Sequence, residues 1–352
     1  MSFVINEKLN AMEAYSPVSG DYRIRLDANE SFISPDEDVM NDIIKGIEAL
    51  RFCRYPDPLA QELCTLAAAH YNVSPDEITA GNGSDELIGV IISAFTQKGD
   101  SVLTFNPDFS MYSFYCGLVE CPCLSLEKSE DYRIDIDEAI KTANDNNVRI
   151  IIFSNPCNPT SIAVESKEII RLIKSVSALV VLDEAYMEFY GDSLVSAVGE
   201  YDNLIVLRTF SKAMGLAAVR LGFALTNRVL TAQLQKAKSP YNVNSVSQLI
   251  GVAVLNHPES IKRAVARINE SRDNLLSEFK RLQKLYPAYL TVIGADANFV
   301  FLKTEFAGEL FEYLKESGIV VRCFGDKLRV TAGRNWENNE LIKFIEEFYS
   351  KK

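Results

Sequence analysis

Residues 150–153 and 178–182 are unbroken apolar runs, IIIF and ALVVL, each ending on a polar residue, Ser154 and Asp183. A strand with no polar alternation needs cover on both faces, the condition of a parallel sheet sandwiched between helices. Runs at residues 78–80, 102–105, 148–154, 178–182 and 204–207 alternate with helical patterns up to about residue 226. The sequence therefore predicts an α/β fold around a mostly parallel sheet. In such sheets ligands bind at the carboxyl ends of the strands, so chemistry is expected there.

The first 50 residues and the stretch beyond about residue 285 break this rhythm. The C-terminal part reads strand, helix, strand, helix through ANFVFLKT, AGELFEYLKESG, KLRVTAG and ENNELIKFIEEFYS, which predicts a smaller α+β domain. Residues 259–285 form one long amphipathic pattern, a rigid connector between the two. A chain of 352 residues, 47% hydrophobic, has material for one large core and one smaller one. The expected division is an N-terminal segment at 1–50 shared with the small domain, a large domain at 51–270 and a small one at 271–352.

Composition removes several classes of function. A net charge of -12 disfavours contact with a nucleic-acid backbone. Two histidines, His70 and His257, leave little material for a histidine metal centre or a Ser-His-Asp triad, and no metal is expected. The seven cysteines show no zinc or redox spacing and are expected to be reduced, mostly structural thiols. No run reaches the roughly 20 apolar residues of a membrane span, and MSFVINEKLN lacks a signal-peptide core, so a cytoplasmic location is expected. Catalysis falls to Lys, Tyr, Asp and Arg.

Polar clusters close several of these strands. In ITAGNGSDELIGVIISAF, Gly81 and Gly83 turn a strand into a helix with Ser84 as candidate N-cap; the free N–H groups there suit a phosphate or serve a simple capped turn. It is not the dinucleotide fingerprint, because Glu86 stands where the third glycine belongs. FSNPCNPTS holds two Asn-Pro pairs; proline fixes the loop so that an asparagine amide can serve a ligand, or simply ends the strand. In VVLDEAYMEF, Asp183 closes a buried strand with Tyr186 just beyond, and such a carboxylate wants a cation: a protonated pyridine nitrogen, a metal ion, or a helix start to cap. In LIVLRTFSKAMGLAAVRLGF, Thr209 and Ser211 flank Lys212, with Arg220 following. A desolvated lysine at a strand exit attacks aldehydes, while Ser211 and Arg220 suit a phosphate; a lysine taken alone is usually a solvated surface group.

Together with RLDANES (25–31), RYPDP (54–58), PYNVNSVSQ (240–248), ANFVF (297–301) and LRVTAG (328–333), these segments resemble the fold type I, class II pyridoxal-phosphate-dependent aminotransferases, above all the histidinol-phosphate branch. The likeness spans nearly the whole chain, and its specificity lies in the ordered set. It implies a seven-stranded, mostly parallel large-domain sheet and the cofactor pyridoxal 5'-phosphate. By position it makes Lys212 the Schiff-base lysine, Asp183 the partner of the pyridine nitrogen, and Asn158 and Tyr186 hydrogen-bond partners of the ring oxygen, with Phe109 stacked on the ring. Ser84, Asp85, Thr209, Ser211 and Arg220 would hold the cofactor phosphate, and Tyr55 would reach it from the other subunit of a homodimer.

For substrate, the resemblance makes Arg329 a carboxylate-binding arginine, Arg322 a second anion contact and Asn29 part of an N-terminal lid. The implied reaction is ping-pong transamination between histidinol phosphate and 2-oxoglutarate. A general or aromatic aminotransferase, a threonine-phosphate decarboxylase and an inactive binding or regulatory protein remain as alternatives. Two positions depart from the family: Ser161 stands where glycine is common, and Asp108 where threonine is frequent. Asp108 is expected to bring a carboxylate near the substrate phosphate and to disfavour anionic substrates.

Overall fold

The computed structural model describes residues 3–12, 14 and 18–352. In chain order the strands are β1 (Ile24–Arg25), β2 (Ile78–Gly81), β3 (Val102–Asn106), β4 (Cys123–Glu127), β5 (Ile150–Ser154), β6 (Leu179–Asp183), β7 (Leu204–Thr209), β8 (Gly222–Thr226), β9 (Thr291–Gly294), β10 (Phe299–Lys303), β11 (Ile319–Val320), β12 (Arg322–Phe324) and β13 (Lys327–Thr331). Seven of them form the main sheet in the order β2-β8-β7-β6-β5-β3-β4. The pairs from β7 through β4 are parallel, and β8 runs antiparallel to both its neighbours, β7 and β2. The α/β expectation and the mostly parallel sheet both hold. Strand β8 is the exception because only residues 210–221 join it to β7, with a single short 3-10 turn at Ala217–Val219 and no crossover helix of the kind a parallel return needs.

Strands β5, β6 and β7 are buried at every position, which is why their sequence shows no polar alternation. Alternate residues still sort to opposite faces: Ile151, Phe153, Val180, Leu182 and Val206 enter the largest core, while Ile150, Ile152, Val181, Ile205 and Leu207 enter a second core on the other side. Both faces are thus covered, and only the strand ends open to solvent.

The C-terminal part forms an antiparallel sheet in the order β12-β13-β10-β9, with β1 pairing in parallel with β11 beside it. The strand-helix-strand-helix reading found β10 and β13 but missed β9, β11 and β12, which at two to four residues are too short to show a period. The connector is a helix, Pro258–Leu285, and its buried residues Ile261, Ile268, Leu275 and Leu282 recur every seventh position on one stripe. The first two of these join the large core and the last two the small one, so a single helix is anchored in both. The N-terminal part also touches both: Ile24 and Leu26 belong to the small core, and Val39 and Ile43 of the helix Glu37–Ala49 to the large one. Among the described residues no helix is long and apolar enough to cross a membrane.

A second tie joins the loop after β5 to the small sheet through Ser161. This residue has φ of 56°, the left-handed region that explains why glycine suits the position. Its hydroxyl accepts from Ala297 N at 2.8 Å and donates to Phe299 O at 3.1 Å, all within buried surroundings. Those bonds offset the backbone cost. Replacing Ser161 by Ala keeps the strained φ and orphans the Ala297 N–H, and should lower thermal or denaturant stability by about 1–3 kcal/mol. Ser161→Gly relieves the φ and should lose less; equal stability of S161A and the parent contradicts the tie.

Candidate active site

The carboxyl ends of β5, β6 and β7 open onto a cavity of about 630 Å³ that also borders the small domain. Asp183, the last residue of β6, points its carboxylate at the cavity floor, where it accepts from Tyr112 Oη at 2.9 Å and Ala185 N at 3.1 Å. Its side chain is buried, and no ion pair involving it occurs among the described residues. Burial pushes its pKa from an ordinary 3.8 to about 7, against the pull of the two hydrogen bonds. That rise corresponds to a penalty of about 4 kcal/mol on the ionised form. A carboxylate built into such a place fits a cation supplied by a ligand.

Lys212 lies in the loop after β7, with Nζ 3.0 Å from Ala28 O and 5.7 Å from the centre of the Tyr186 ring. Burial, followed by the positive charge of Arg329, draws its pKa down to about 8. The neutral, nucleophilic amine therefore becomes the main form above about pH 8, well below the pH an ordinary lysine needs. Tyr186 is buried and accepts from Asn29 Nδ2 at 2.9 Å; burial raises its hydroxyl to about 12, keeping it a neutral donor. Asn29 is committed here and to Thr331, whose hydroxyl receives its backbone N–H at 3.0 Å. It orients Tyr186 rather than projecting freely into the cavity.

On the opposite wall the helix Gly83–Phe95 begins, with the side chains of Thr209, Ser211 and Arg220 facing it. Arg220 donates to Ser211 Oγ and Asp85 Oδ2, both at 3.3 Å, and Thr209 Oγ1 donates to Ser211 Oγ at 3.1 Å. The approach is close: a Cβ on Gly222 would lie 2.4 Å from Ser84 N, and one on Gly83 would lie 2.7 Å from Arg220 Nη2. Backbone N–H groups at a helix start, two hydroxyls and a guanidinium make a cradle suited to a phosphate. The chemistry of cradle, carboxylate and amine, all lining one cavity, fits a pyridine aldehyde phosphate.

A third wall comes from the small domain. Arg322 and Arg329 are register partners on β12 and β13, and the Phe324 ring lies near both guanidiniums, 6.0 and 5.7 Å from its centre. Arg329 also donates to Asn158 Oδ1 and to Asp27 O, so it links the loop after β5 to the N-terminal segment. Two like charges side by side favour an anionic ligand between or above them.

Every proposed site residue except Tyr55 borders this cavity. Tyr55 is 81% exposed and stacks on Tyr241 with ring centres 4.7 Å apart, away from the cavity of its own chain. Two expectations need correction. The helix starts at Gly83, so Asn82 and not Ser84 holds the N-cap position, without a side-chain capping bond of its own, while Glu86 reaches back to accept from Asn82 N at 2.7 Å. Asp108 does not confront the substrate: its side chain is buried against Lys128, 3.3 Å away, and accepts from Phe109 N and from Ser154. Arg25, Asp27, Glu30, Ser154 and Tyr112 were missed. Tyr112 had a signal, three positions after Phe109 at helical spacing in NPDFSMY; the two rings meet edge to face at 5.6 Å.

Comparison with known proteins agrees with this geometry. The family model described as aminotransferase class I and II matches residues 23–345. A histidinol-phosphate aminotransferase of Clostridium novyi is 41% identical over 329 residues, 92% of this chain and 91% of that protein. The crystal structure of histidinol-phosphate aminotransferase from Sinorhizobium meliloti in complex with pyridoxal-5'-phosphate superposes with a TM-score of 0.87 at 22% identity, covering 98% of each chain. L-threonine-O-3-phosphate decarboxylase from Porphyromonas gingivalis superposes at 0.79 and 22% identity, covering 93% of this chain and 99% of that one. The fold alone thus leaves the bond broken undecided.

The lowered pKa of Lys212 has a direct readout. Below about 8 its amine is protonated and inert, and above it the neutral form dominates. Labelling by a small aromatic aldehyde, trapped with borohydride and located by peptide mass mapping, should rise through that pH and then level off at Lys212. Ordinary lysines are still mostly protonated there; half-maximal labelling of Lys212 near pH 10 contradicts the site.

Proposed function

Since the chain belongs to the class I and II aminotransferases, we propose that it moves the amino group between histidinol phosphate and 2-oxoglutarate, in histidine biosynthesis, using pyridoxal 5'-phosphate held at Lys212. The observation that carries the reading is the meeting, in one cavity, of a Lys212 amine drawn down to about pKa 8 and a buried Asp183 carboxylate with no cation partner among the described residues. Bound there, the cofactor supplies an aldehyde to accept the amine and a ring that withdraws electrons from the donor's Cα.

The chain's own residues then divide the work. Asp183 holds a proton at the ring nitrogen, and its burial makes that pairing strong in a site of low dielectric. Asn158 and Tyr186 hold the ring oxygen, and Phe109 covers one face of the ring. Ser84, Asp85, Thr209, Ser211 and Arg220 hold the phosphate. Lys212 Nζ, released as a free amine, takes the proton from the donor's Cα as general base. Arg329 and Arg322 receive the anionic ends of both substrates, a phosphate in one half of the cycle and carboxylates in the other.

The same reading includes a homodimer in which Tyr55, exposed beside Phe52 and Tyr241, completes the neighbouring subunit's phosphate site. It also takes residues 51–270 as the cofactor-holding domain and 271–352 as the small domain, supported by the two separate cores, and assigns the protein to the cytoplasm. The 41% identity over 92% of the chain favours histidinol phosphate as donor.

Mixing the cofactor-loaded protein with histidinol phosphate, phenylalanine, glutamate and threonine phosphate in turn separates the readings. Histidinol phosphate should convert the bound cofactor to its amine form, seen by absorption, at concentrations at least about tenfold below phenylalanine, as a phosphate gripped by arginine implies. Sedimentation of the same sample should show a dimer. Preference for phenylalanine overturns the substrate, carbon dioxide released from threonine phosphate overturns the reaction, and a fully active monomer overturns the shared site.

A further inference from the structure

Behind the cavity lies a buried ion pair that the proposed chemistry does not use. Lys128 and Asp108 have side chains only 2% exposed, and their charged atoms are 3.3 Å apart. Lys128 Nζ donates to Pro107 O at 2.8 Å, to Cys157 Sγ at 2.9 Å and to Asp108 Oδ2. Three acceptors match the three protons of an ammonium group. Burial works against that charge, but the Asp108 carboxylate and the Cys157 sulfur outweigh it and hold the Lys128 pKa above its ordinary value. Burial likewise pushes the Asp108 carboxyl up, yet every partner it has is a donor: Phe109 N at 2.8 Å, Ser154 N at 3.3 Å, Ser154 Oγ and Lys128. An oxygen pair that only accepts is a carboxylate.

The direction of the next bond follows from the same accounting. Ser154 Oγ accepts from Asn158 N at 3.0 Å, so its own proton points to Asp108. Donated hydrogen bonds therefore converge on Asp108 from two sides, directly from Lys128 and through Ser154 from Asn158, and the Asn158 side continues to Arg329, which donates to Asn158 Oδ1. A branch leaves Asp108 for the backbone of Phe109. Both residues assigned to the cofactor ring on this side, one at its oxygen and one on its face, are thus fixed by a single carboxylate.

We propose that the buried Asp108–Lys128 pair is a positioning unit for the cofactor ring, setting Asn158 through Ser154 and Phe109 through its backbone. The proposal rests on the reading that Asn158 and Phe109 meet the ring. It also accounts for aspartate at a position where threonine is frequent in the family: the carboxylate is tolerated because Lys128 neutralises it within the interior. Losing Lys128 leaves Asp108 a buried, unpaired charge that takes up a proton. The carboxyl then competes as a donor, and Ser154 no longer presents a fixed lone pair to Asn158.

The test uses the full-length protein titrated with pyridoxal 5'-phosphate. Lys128→Met and the nearly isosteric Asp108→Asn should each weaken cofactor binding by about tenfold, the scale of one charge-assisted hydrogen bond. Each should also shift the absorption maximum of the bound cofactor in the direction seen for Asn158→Ala, a signature that mere loss of stability does not produce. The double variant Asp108→Thr with Lys128→Met, which removes the carboxylate that accepts from Ser154 and Phe109 N, should bind no better than the single variants and show the same spectral shift, and parent-like binding and spectrum in it overturn the proposal. Parent-like affinity and spectrum in Asp108→Asn and Lys128→Met, with Asn158→Ala altered, overturn the proposal alone. No change in Asn158→Ala overturns the ring assignment beneath it. Where Lys128→Met fails to fold, Asp108→Asn and the double variant decide.

Discussion

A carboxylate at the end of a fully buried strand is the constraint around which the site is arranged. Asp183 costs several kilocalories to ionise where it stands, and β6 delivers it there because β5 and β7 hydrogen-bond it on either side. Nothing among the described residues pairs with it as a cation. Tyr112 and Ala185 N satisfy its oxygens only in part, and the direction of its shift shows that burial still dominates. A protonated ligand nitrogen would supply the pairing it lacks, and around it the cavity gathers the Lys212 amine, the helix start at Gly83 with Ser211 and Arg220, and two arginines on the facing wall.

The sheet fixes these groups within one another's reach without any being adjacent in sequence. Behind Asp183 the next residue, Glu184, is paired with Arg208 at 3.6 Å, and Arg208 immediately precedes Thr209. Neighbouring residues on β6 and β7 therefore face opposite sides of the sheet, one set to the cavity and one to a buried ion pair. The small domain is held to this frame by the helix Pro258–Leu285, by Ser161 and by the Arg329–Asn158 bond. Arg329 thus both lines the cavity and ties the two halves together.

Much of this was legible in the sequence, for a physical reason in each case. Unbroken apolar runs signalled strands covered on both faces, and polar residues at their ends marked the cavity that β5, β6 and β7 share. Lys212, Asp183, Arg220 and Asn158 were found because a charged or fixed polar group at such an end has a cost that only a ligand or partner offsets. Tyr112 and Ser154 were missed, since their partners lie 71 and 46 residues away and only folding shows which contacts form. Asp108 was misjudged for the same cause: its position beside Phe109 placed it at the site, but its rotamer and Lys128, 20 residues on, turned its charge inward. The short strands β9, β11 and β12 carry too few residues for a period to register.

The central claim is that Asp183 waits for a cation at the ring nitrogen, and nitrogen NMR on protein loaded with pyridoxal 5'-phosphate labelled at that atom tests it directly. The ring nitrogen of the parent protein should carry a proton at slightly alkaline pH, and the proton should be lost in Asp183→Asn, which keeps the shape and removes the charge. An unprotonated nitrogen in the parent, or a protonated one that persists unchanged in Asp183→Asn, contradicts the account.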